Sequence, residues 1–348
     1  MKSLYNNVNR EVLIQKMKES TEARTTLSFY KYYLIKNPDL FRDHLYLMLD
    51  ELNILGRIYI AKEGLNAQIS VPDFYLNLFK EKIAEVDFLK NIRLNYAIDD
   101  NGKSFFKLKI KVRNRIVADG LMDETFDATD SGQHLNALEF NELSERENTI
   151  IVDMRNHYES EVGKFKNAIC VDAVTFKEAL PMVANILTQE KDRDIIMYCT
   201  GGIRCEKASA YLKHNGFKNV YQLDGGIIEY TRQIREQQLE NKFIGKNFVF
   251  DERLGEKISE EIISSCHQCG KPCDIHINCK NDQCHILFIQ CEVCKSEFNS
   301  CCSQRCADFI DLPNEIQESM KLKIEFNGSK FSKGKYKALG TRDKLEVS

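Results

Sequence analysis

Ten of the thirteen cysteines in this 348-residue chain fall between Cys266 and Cys306. The segment is too irregular to form a conventional apolar core, so something other than apolar packing has to hold its fold together. Cys266 and Cys269 form one Cys-x-x-Cys knuckle and Cys291 and Cys294 a second, with 21 residues between them, close to zinc-ribbon spacing. Each such turn aims two sulfurs at one tetrahedral ion, and zinc is the natural ion for a structural thiolate site. Cys273, Cys279, Cys284, Cys301, Cys302 and Cys306, with His276 and His285, suffice for a second site. Reduced, packed thiols are the competing reading, and an iron–sulfur cluster is a third. The opening residues MKSLYNNVNREVLIQK lack the apolar core of a signal peptide. That predicts a reducing, cytoplasmic setting, where cysteines serve as ligands or catalysts rather than as disulfides. No apolar run reaches the roughly 18 residues of a membrane span, so no membrane partner is expected.

The length predicts two or three domains, and the composition, 43% hydrophobic and 29% charged, allows each a normal core. Residues 1–122 alternate strand-like segments (TLSFYKYYLI, RIYIAKEGLNAQISV, FFKLKIKVRNRI) with helical ones (DLFRDHLYLMLDELNIL, FYLNLFKEKIAEV). This order predicts a ferredoxin-like α+β domain. A polar linker, DETFDATDSGQ, leads into a second domain, the two together covering 123–240. There the short apolar strands TIIVDM, NAICVD, DIIMYC and NVYQL alternate with helices, the signature of an α/β parallel sheet. Residues 241–348 form a Cys-rich region with a basic tail. The whole is an α/β multidomain chain.

The stretch MYCTGGIRCEKA sets Cys199 at the end of a predicted strand, just before a helix. Ligand sites of open parallel sheets lie at such strand ends. Gly201 and Gly202 let backbone N–H groups converge on one atom, the helix that follows Ile203 adds its positive end, and Arg204 adds a cation. All three favour an anion, so Cys199 is expected to be a thiolate at neutral pH. The competing reading is an inert cysteine buried at a strand end. Cys205 has two readings, a thiol that resolves an oxidised or persulfide sulfur on Cys199, or a small residue packed under the helix.

VDMRNHYESEVGKFKNAI, DIIMYC, CTGGIRC and YQLDGGIIEY together resemble a rhodanese domain. The resemblance implies that Cys199 is the persulfide-carrying position of a loop running through Thr200, Gly201, Gly202 and Ile203 to Arg204. It also implies that Asp153, Arg155 and Glu159 brace that loop. Four residues separate Cys199 from Arg204; related phosphatases have five, and the shorter loop suits a terminal sulfur better than a phosphate. With GRIYIAKEGLNAQISV, FVFDER, SSCHQCGKPCDIHINC and NSCCSQRCADF, the full chain resembles the rhodanese-containing tRNA uridine(34) hydroxylase family. That resemblance implies oxygen-dependent conversion of the wobble uridine of tRNA to 5-hydroxyuridine, with Cys199 essential and molecular oxygen as co-substrate. Cys199 would act either by adding to C6 of uracil or by carrying an oxidised sulfur. No flavin or nucleotide motif is visible, and the sequence does not identify a sulfur or electron donor. The alternatives are a persulfide or thiosulfate sulfurtransferase and a zinc-organised RNA-binding protein.

Charge supplies the expectation about RNA. Lys107, Lys109, Lys111, Arg113 and Arg115 alternate with apolar residues, so an extended strand would show five cations on one side over about 26 Å. Blunting of an edge strand is the competing explanation. The tail Lys321–Lys344 is basic and interleaves Phe326, Phe331 and Tyr336, as nucleic-acid contacts often do, and as a solvated tail also would.

Overall fold

The computed structural model describes residues 4, 6, 8–121, 127, 129–320, 324–328 and 335–336. Most of the basic tail, Phe331 included, and much of the polar linker lie outside these residues.

The N-terminal domain begins with α1 (Arg10–Glu19), β1 (Arg24–Tyr32), α2 (Pro38–Glu51), β2 (Leu55–Ala61), β3 (Gly64–Pro72) and α3 (Leu76–Ala84), and ends with β4 (Asn95–Tyr96) and β5 (Leu108–Val112). The sheet order is β4-β1-β3-β2-β5. Its first four strands form the antiparallel ferredoxin-like unit, and β5 is an added edge strand parallel to β2. The sequence pattern marks FFKLKIKVRNRI as the closing strand, whereas the strand that closes the unit is the two-residue β4, too short to show periodicity. Period-two alternation gives this sheet two unlike faces. Leu27, Phe29, Ile58, Ile60, Leu65, Ala67, Ile69, Leu108 and Ile110 pack in one core with the apolar faces of α2 and α3. Ser28, Tyr30, Arg57, Tyr59, Asn66 and Gln68 point the other way.

The central domain runs β6 (Gln133–Leu135), α4 (Ala137–Ser144), β7 (Thr149–Asp153), α5 (His157–Ser160), β8 (Gly163–Phe165), β9 (Ile169–Cys170), α6 (Phe176–Ile186), β10 (Asp194–Tyr198), α7 (Ile203–His214), β11 (Asn219–Leu223) and α8 (Gly226–Gln237). β6-β11-β10-β7-β9 form a parallel sheet with a hydrophobic cluster on each face. β6 begins at Gln133, the last residue that reads as linker. β8 leaves this sheet and pairs antiparallel with β12 (Phe243–Asn247), which ties the Cys-rich region to the central domain.

The polar face of the N-terminal sheet lies against the carboxyl ends of the central strands. Lys207 of α7 is almost wholly buried and bridges Glu63 and Asp119. Tyr30 Oη donates to Glu206 at 3.0 Å, and Tyr32 Oη donates to the carbonyl of Ile203 at 3.2 Å. Arg93 pairs with Asp224. Residues after β12 complete the joint: Arg57 donates to the carbonyl of Phe250 at 2.6 Å, and Arg253 to that of Asp99 at 2.8 Å.

Candidate active site and cysteine clusters

Cys199 follows β10, and its loop is built by two helix starts. Gly202 caps α7 at φ +96°, a conformation that favours glycine, and its N–H donates to Cys199 Sγ at 3.2 Å. A Cβ on Gly202 would come within 2.8 Å of Tyr30 Oη. From the other side, the first N–H groups of α8 hold the loop carbonyls, Ile227 N to Cys199 O at 3.0 Å and Ile228 N to Thr200 O at 3.2 Å. A Cβ on Gly226 would press to 2.4 Å from Cys199 O, which explains the Gly-Gly of YQLDGGIIEY.

Arg204 forks onto Glu159 at 2.6 and 2.8 Å and reaches Thr200 Oγ1 at 3.3 Å. Burial opposes ionisation of Glu159, and Arg204 nevertheless holds its carboxyl below the ordinary range. Arg155, fully buried, binds Asp153 through Nε and Nη2 and gives a further hydrogen bond to the carbonyl of Gly163 at 2.6 Å; Tyr198 Oη donates to Asp153 at 2.8 Å. The structure therefore ties Asp153 and Arg155 to Tyr198, just before the loop, and to Gly163, and sets Glu159 directly on the loop's arginine.

Burial works against ionisation of Cys199. A hydrogen bond from the Cys205 thiol, the charge of Arg204 and the N–H groups of Arg204 and Cys205 outweigh it and bring the pKa down to about 6. Cys205 itself is buried and pushed well up, by burial and by the neighbouring thiolate, so it remains a thiol that donates to Cys199. Spacing alone did not reveal this donor role, which needs α7 to turn Cys205 back toward the loop. Cys170, the third cysteine of this domain, is driven the opposite way, to about 11, by burial and by Asp153.

Cys199 lies at the floor of a cavity of about 810 Å³ roofed by the polar face of the N-terminal sheet. Tyr30, Arg57, Asn66, Asn95, Phe250 and Arg253 contribute to its walls. Alternation alone does not mark Tyr30, Arg57, Asn66 or Asn95, because the polar face of their strands resembles any solvated one; Phe250 and Arg253 lie in the FVFDER segment after β12, which carries part of the family resemblance.

The basic strand is shorter than its pattern. β5 spans five residues, about 17 Å at roughly 3.3 Å per residue, with Lys109 and Lys111 on its polar side. Lys107 sits over Phe106 (5.8 Å) and Arg113 over Tyr59 (5.6 Å). Arg115 turns back to pair with Glu63 at 3.0 Å. In register, Lys109 stands beside Arg57 and Lys111 beside Tyr59. The cationic edge is thus continuous with the cavity wall. Phe326 and Tyr336 of the tail are packed rather than presented: Phe326 meets Phe309 edge-on, and Tyr336 stacks on Phe288 and His267.

The Cys-rich region gathers two sets of four sulfurs, Cys266, Cys269, Cys291, Cys294 and Cys279, Cys284, Cys302, Cys306, each within 4.8 Å of one another. The pairs alternate along the chain, so the two sets interlock. Cys273 and Cys301 belong to neither set and are buried beside them, and His276 packs against Phe248. Sulfur separations of 3.6 Å (Cys284–Cys302) and 3.7 Å (Cys269–Cys291, Cys302–Cys306) are too long for disulfides. They match the roughly 3.8 Å edge of a tetrahedron with 2.3 Å metal–sulfur bonds. Backbone N–H groups of Cys291, Cys302 and Gly328 point at these sulfurs at 3.3–3.4 Å, as donors around thiolates do. Both sets could hold a metal ion.

The electrostatics give a direct expectation. Alkylation of Cys199 by iodoacetamide, followed by peptide mass spectrometry, should rise through about pH 6 and level off above it. Cys205→Ala removes the thiol donor, so the midpoint should move upward toward that of an ordinary cysteine. A midpoint that stays in place in the variant would remove Cys205 from the account.

Three family models match in succession: the UPF0176 acylphosphatase like domain over residues 24–116, the Rhodanese-like domain over 136–233 and Rhodanase C-terminal over 244–307. Relatives match along nearly their whole length. A protein of Photorhabdus laumondii is 54% identical over 97% of this chain and 96% of its own. One of Escherichia fergusonii is 53% identical over 95% and 94%, and one of Yersinia pestis 54% over 96% and 95%. All three carry the name tRNA uridine(34) hydroxylase, and with this identity across all three domains the chain belongs to the tRNA uridine(34) hydroxylase family.

Proposed function

We propose that this chain oxidises the wobble uridine of tRNA, replacing the C5 hydrogen of the base with a hydroxyl, and that Cys199 acts on the base. The observation that carries the reading is a cysteine ionised near pH 6 at the floor of a cavity whose roof continues into a lysine-bearing strand edge. C5 of uracil is a weak nucleophile. Thiolate addition at C6 makes C5 an enolate carbon able to take up one oxygen atom from molecular oxygen. The second oxygen leaves as water with two protons and two electrons from a reductant of the thiol class. Loss of the C5 proton with cleavage of the C6–S bond then restores the ring and frees the thiolate. The loop N–H groups and the Cys205 thiol hold Cys199 anionic before and after this cycle.

The cations of the β5 edge suit the phosphate backbone, which they would position without reading bases. Zinc at both cysteine sets belongs to the same reading, as a structural ion that shapes the region packed behind the active loop. A soluble, cytoplasmic enzyme follows from a tRNA substrate; among the described residues no helix is long and apolar enough to cross a membrane.

Nucleoside mass spectrometry of tRNA tests the activity. A deletion strain lacking redundant routes should lose 5-hydroxyuridine derivatives, the native gene should restore them, and Cys199→Ser should not, since an alcohol is not ionised at neutral pH. Unchanged 5-hydroxyuridine would refute hydroxylation, and loss of 2-thiouridine instead would point to sulfur transfer. Metal analysis tests the ion: purified protein should hold about two zinc ions per chain, and Cys279→Ser about one. Chelation should unfold the C-terminal third first.

A further inference from the structure

Asn95 is the buried polar residue that the site so far leaves without a task. It lies in β4 opposite Ser28 of β1, on the polar face of the N-terminal sheet, and is only 4% exposed. Its Oδ1 has no hydrogen-bond partner among the described residues. Leaving a buried amide oxygen unpaired costs on the order of 1–3 kcal/mol, so such an atom in a cavity wall signals an absent partner. Its Nδ2 lies 3.7 Å from where a Cβ on Gly201 would be, which puts the amide directly over the Cys199 loop. A second orphan is found on the same sheet face. Nε of Arg57 is buried without a partner, although Nη2 of that residue is engaged by Phe250 and Gln68. Both residues line the cavity above Cys199, at opposite ends of the register row Asn95–Ser28–Gln68–Arg57.

We propose that Asn95 is the base-reading residue of this site, accepting a hydrogen bond from N3–H of uracil through Oδ1. The imide edge of uracil presents an N–H donor flanked by two carbonyl acceptors. Asn95 Oδ1 meets the N–H. N3 is the ring atom opposite C6, so a base held by its imide edge on the sheet turns C6 away from the sheet, toward the loop that carries Cys199. The inference rests on the tRNA-uridine reading of the same site and adds to it the group that orients the base.

The test compares a tRNA anticodon stem-loop carrying uridine at the wobble position with the same stem-loop carrying 3-methyluridine, which lacks the N3 donor. Equilibrium binding to the otherwise native protein should favour uridine by about 10-fold or more, the range for one buried hydrogen bond. Asn95→Leu should bind the uridine stem-loop as weakly as the native protein binds the methylated one. It should show no further loss with the methylated one, since both changes delete the same interaction. Asn95→Asp keeps an acceptor and should retain the preference for uridine, and thermal melting of both variants monitors the fold. Equal binding of the two stem-loops by native protein, or losses that multiply in the Asn95→Leu variant, would overturn the inference. Product formation is read separately. Discrimination in binding without 5-hydroxyuridine would sink the hydroxylation reading and leave the role of Asn95 intact.

Discussion

The bidentate pair between Arg204 and Glu159 is the interaction on which the rest of the Cys199 loop depends. Both side chains are nearly or fully buried; Glu159 keeps its charge because Arg204 is beside it, and the permanent charge of Arg204 is answered by Glu159. Removing one partner of such a pair strands the other at a cost of about 3–5 kcal/mol, which makes the geometry close to all-or-none. The pair fixes the start of α7, and with it the N–H groups and the Cys205 thiol that face Cys199. Against burial, the hydrogen bond from Cys205 is the largest influence favouring the Cys199 thiolate, ahead of the charge of Arg204 and the N–H groups of Arg204 and Cys205. The Cys-rich region reinforces this pair from behind. Tyr158 and Val162 pack in one cluster with Phe248, Cys266, Cys273 and Leu287, and His267 bonds to Glu161 at 2.8 Å. The set formed by Cys266, Cys269, Cys291 and Cys294 thus lies against the segment that carries Glu159.

The N-terminal domain contributes a surface rather than a core. A ferredoxin-like sheet covered by helices on one side leaves its other face to water or to a partner, and here that face becomes the roof of the cavity above Cys199. Desolvating it requires that its polar groups be paired across the joint. Tyr30, Tyr32, Arg57 and Lys207 achieve this through Glu206, the Ile203 carbonyl, the Phe250 carbonyl and the Glu63–Asp119 carboxylates. Groups left unpaired on such a face are therefore informative, because the joint satisfies its neighbours so thoroughly. The same roof runs to the lysine-bearing edge at β5, so one sheet face is continuous from the cavity to a cationic edge.

Much of this was legible in the sequence wherever a signal is local. The strand-loop-helix around Cys199, the Cys-x-x-Cys knuckles and the apolar alternation of β1, β2 and β3 are written in neighbouring residues. What escaped was set by long-range packing. β4 has two residues and no period. β6 draws on a segment as polar as a linker, and is a strand because β11 offers it a free edge. Cys205 as donor, the partition of six cysteines into four ligand candidates and two packed thiols, and the turn of Arg115 to Glu63 all depend on partners far along the chain. Asn95, Arg57 and Phe250 come together only when two domains close, so no spacing could have marked them.

Photo-crosslinking addresses the central claim most directly, that the wobble base enters the cavity between the N-terminal sheet and the Cys199 loop. An anticodon stem-loop with 4-thiouridine at the wobble position would be irradiated with the purified protein, and the crosslinked peptides mapped by mass spectrometry. The account predicts crosslinks within peptides that line the cavity, those containing Tyr30, Asn95 or Phe250. Crosslinks confined to peptides that contribute nothing to the cavity would contradict it.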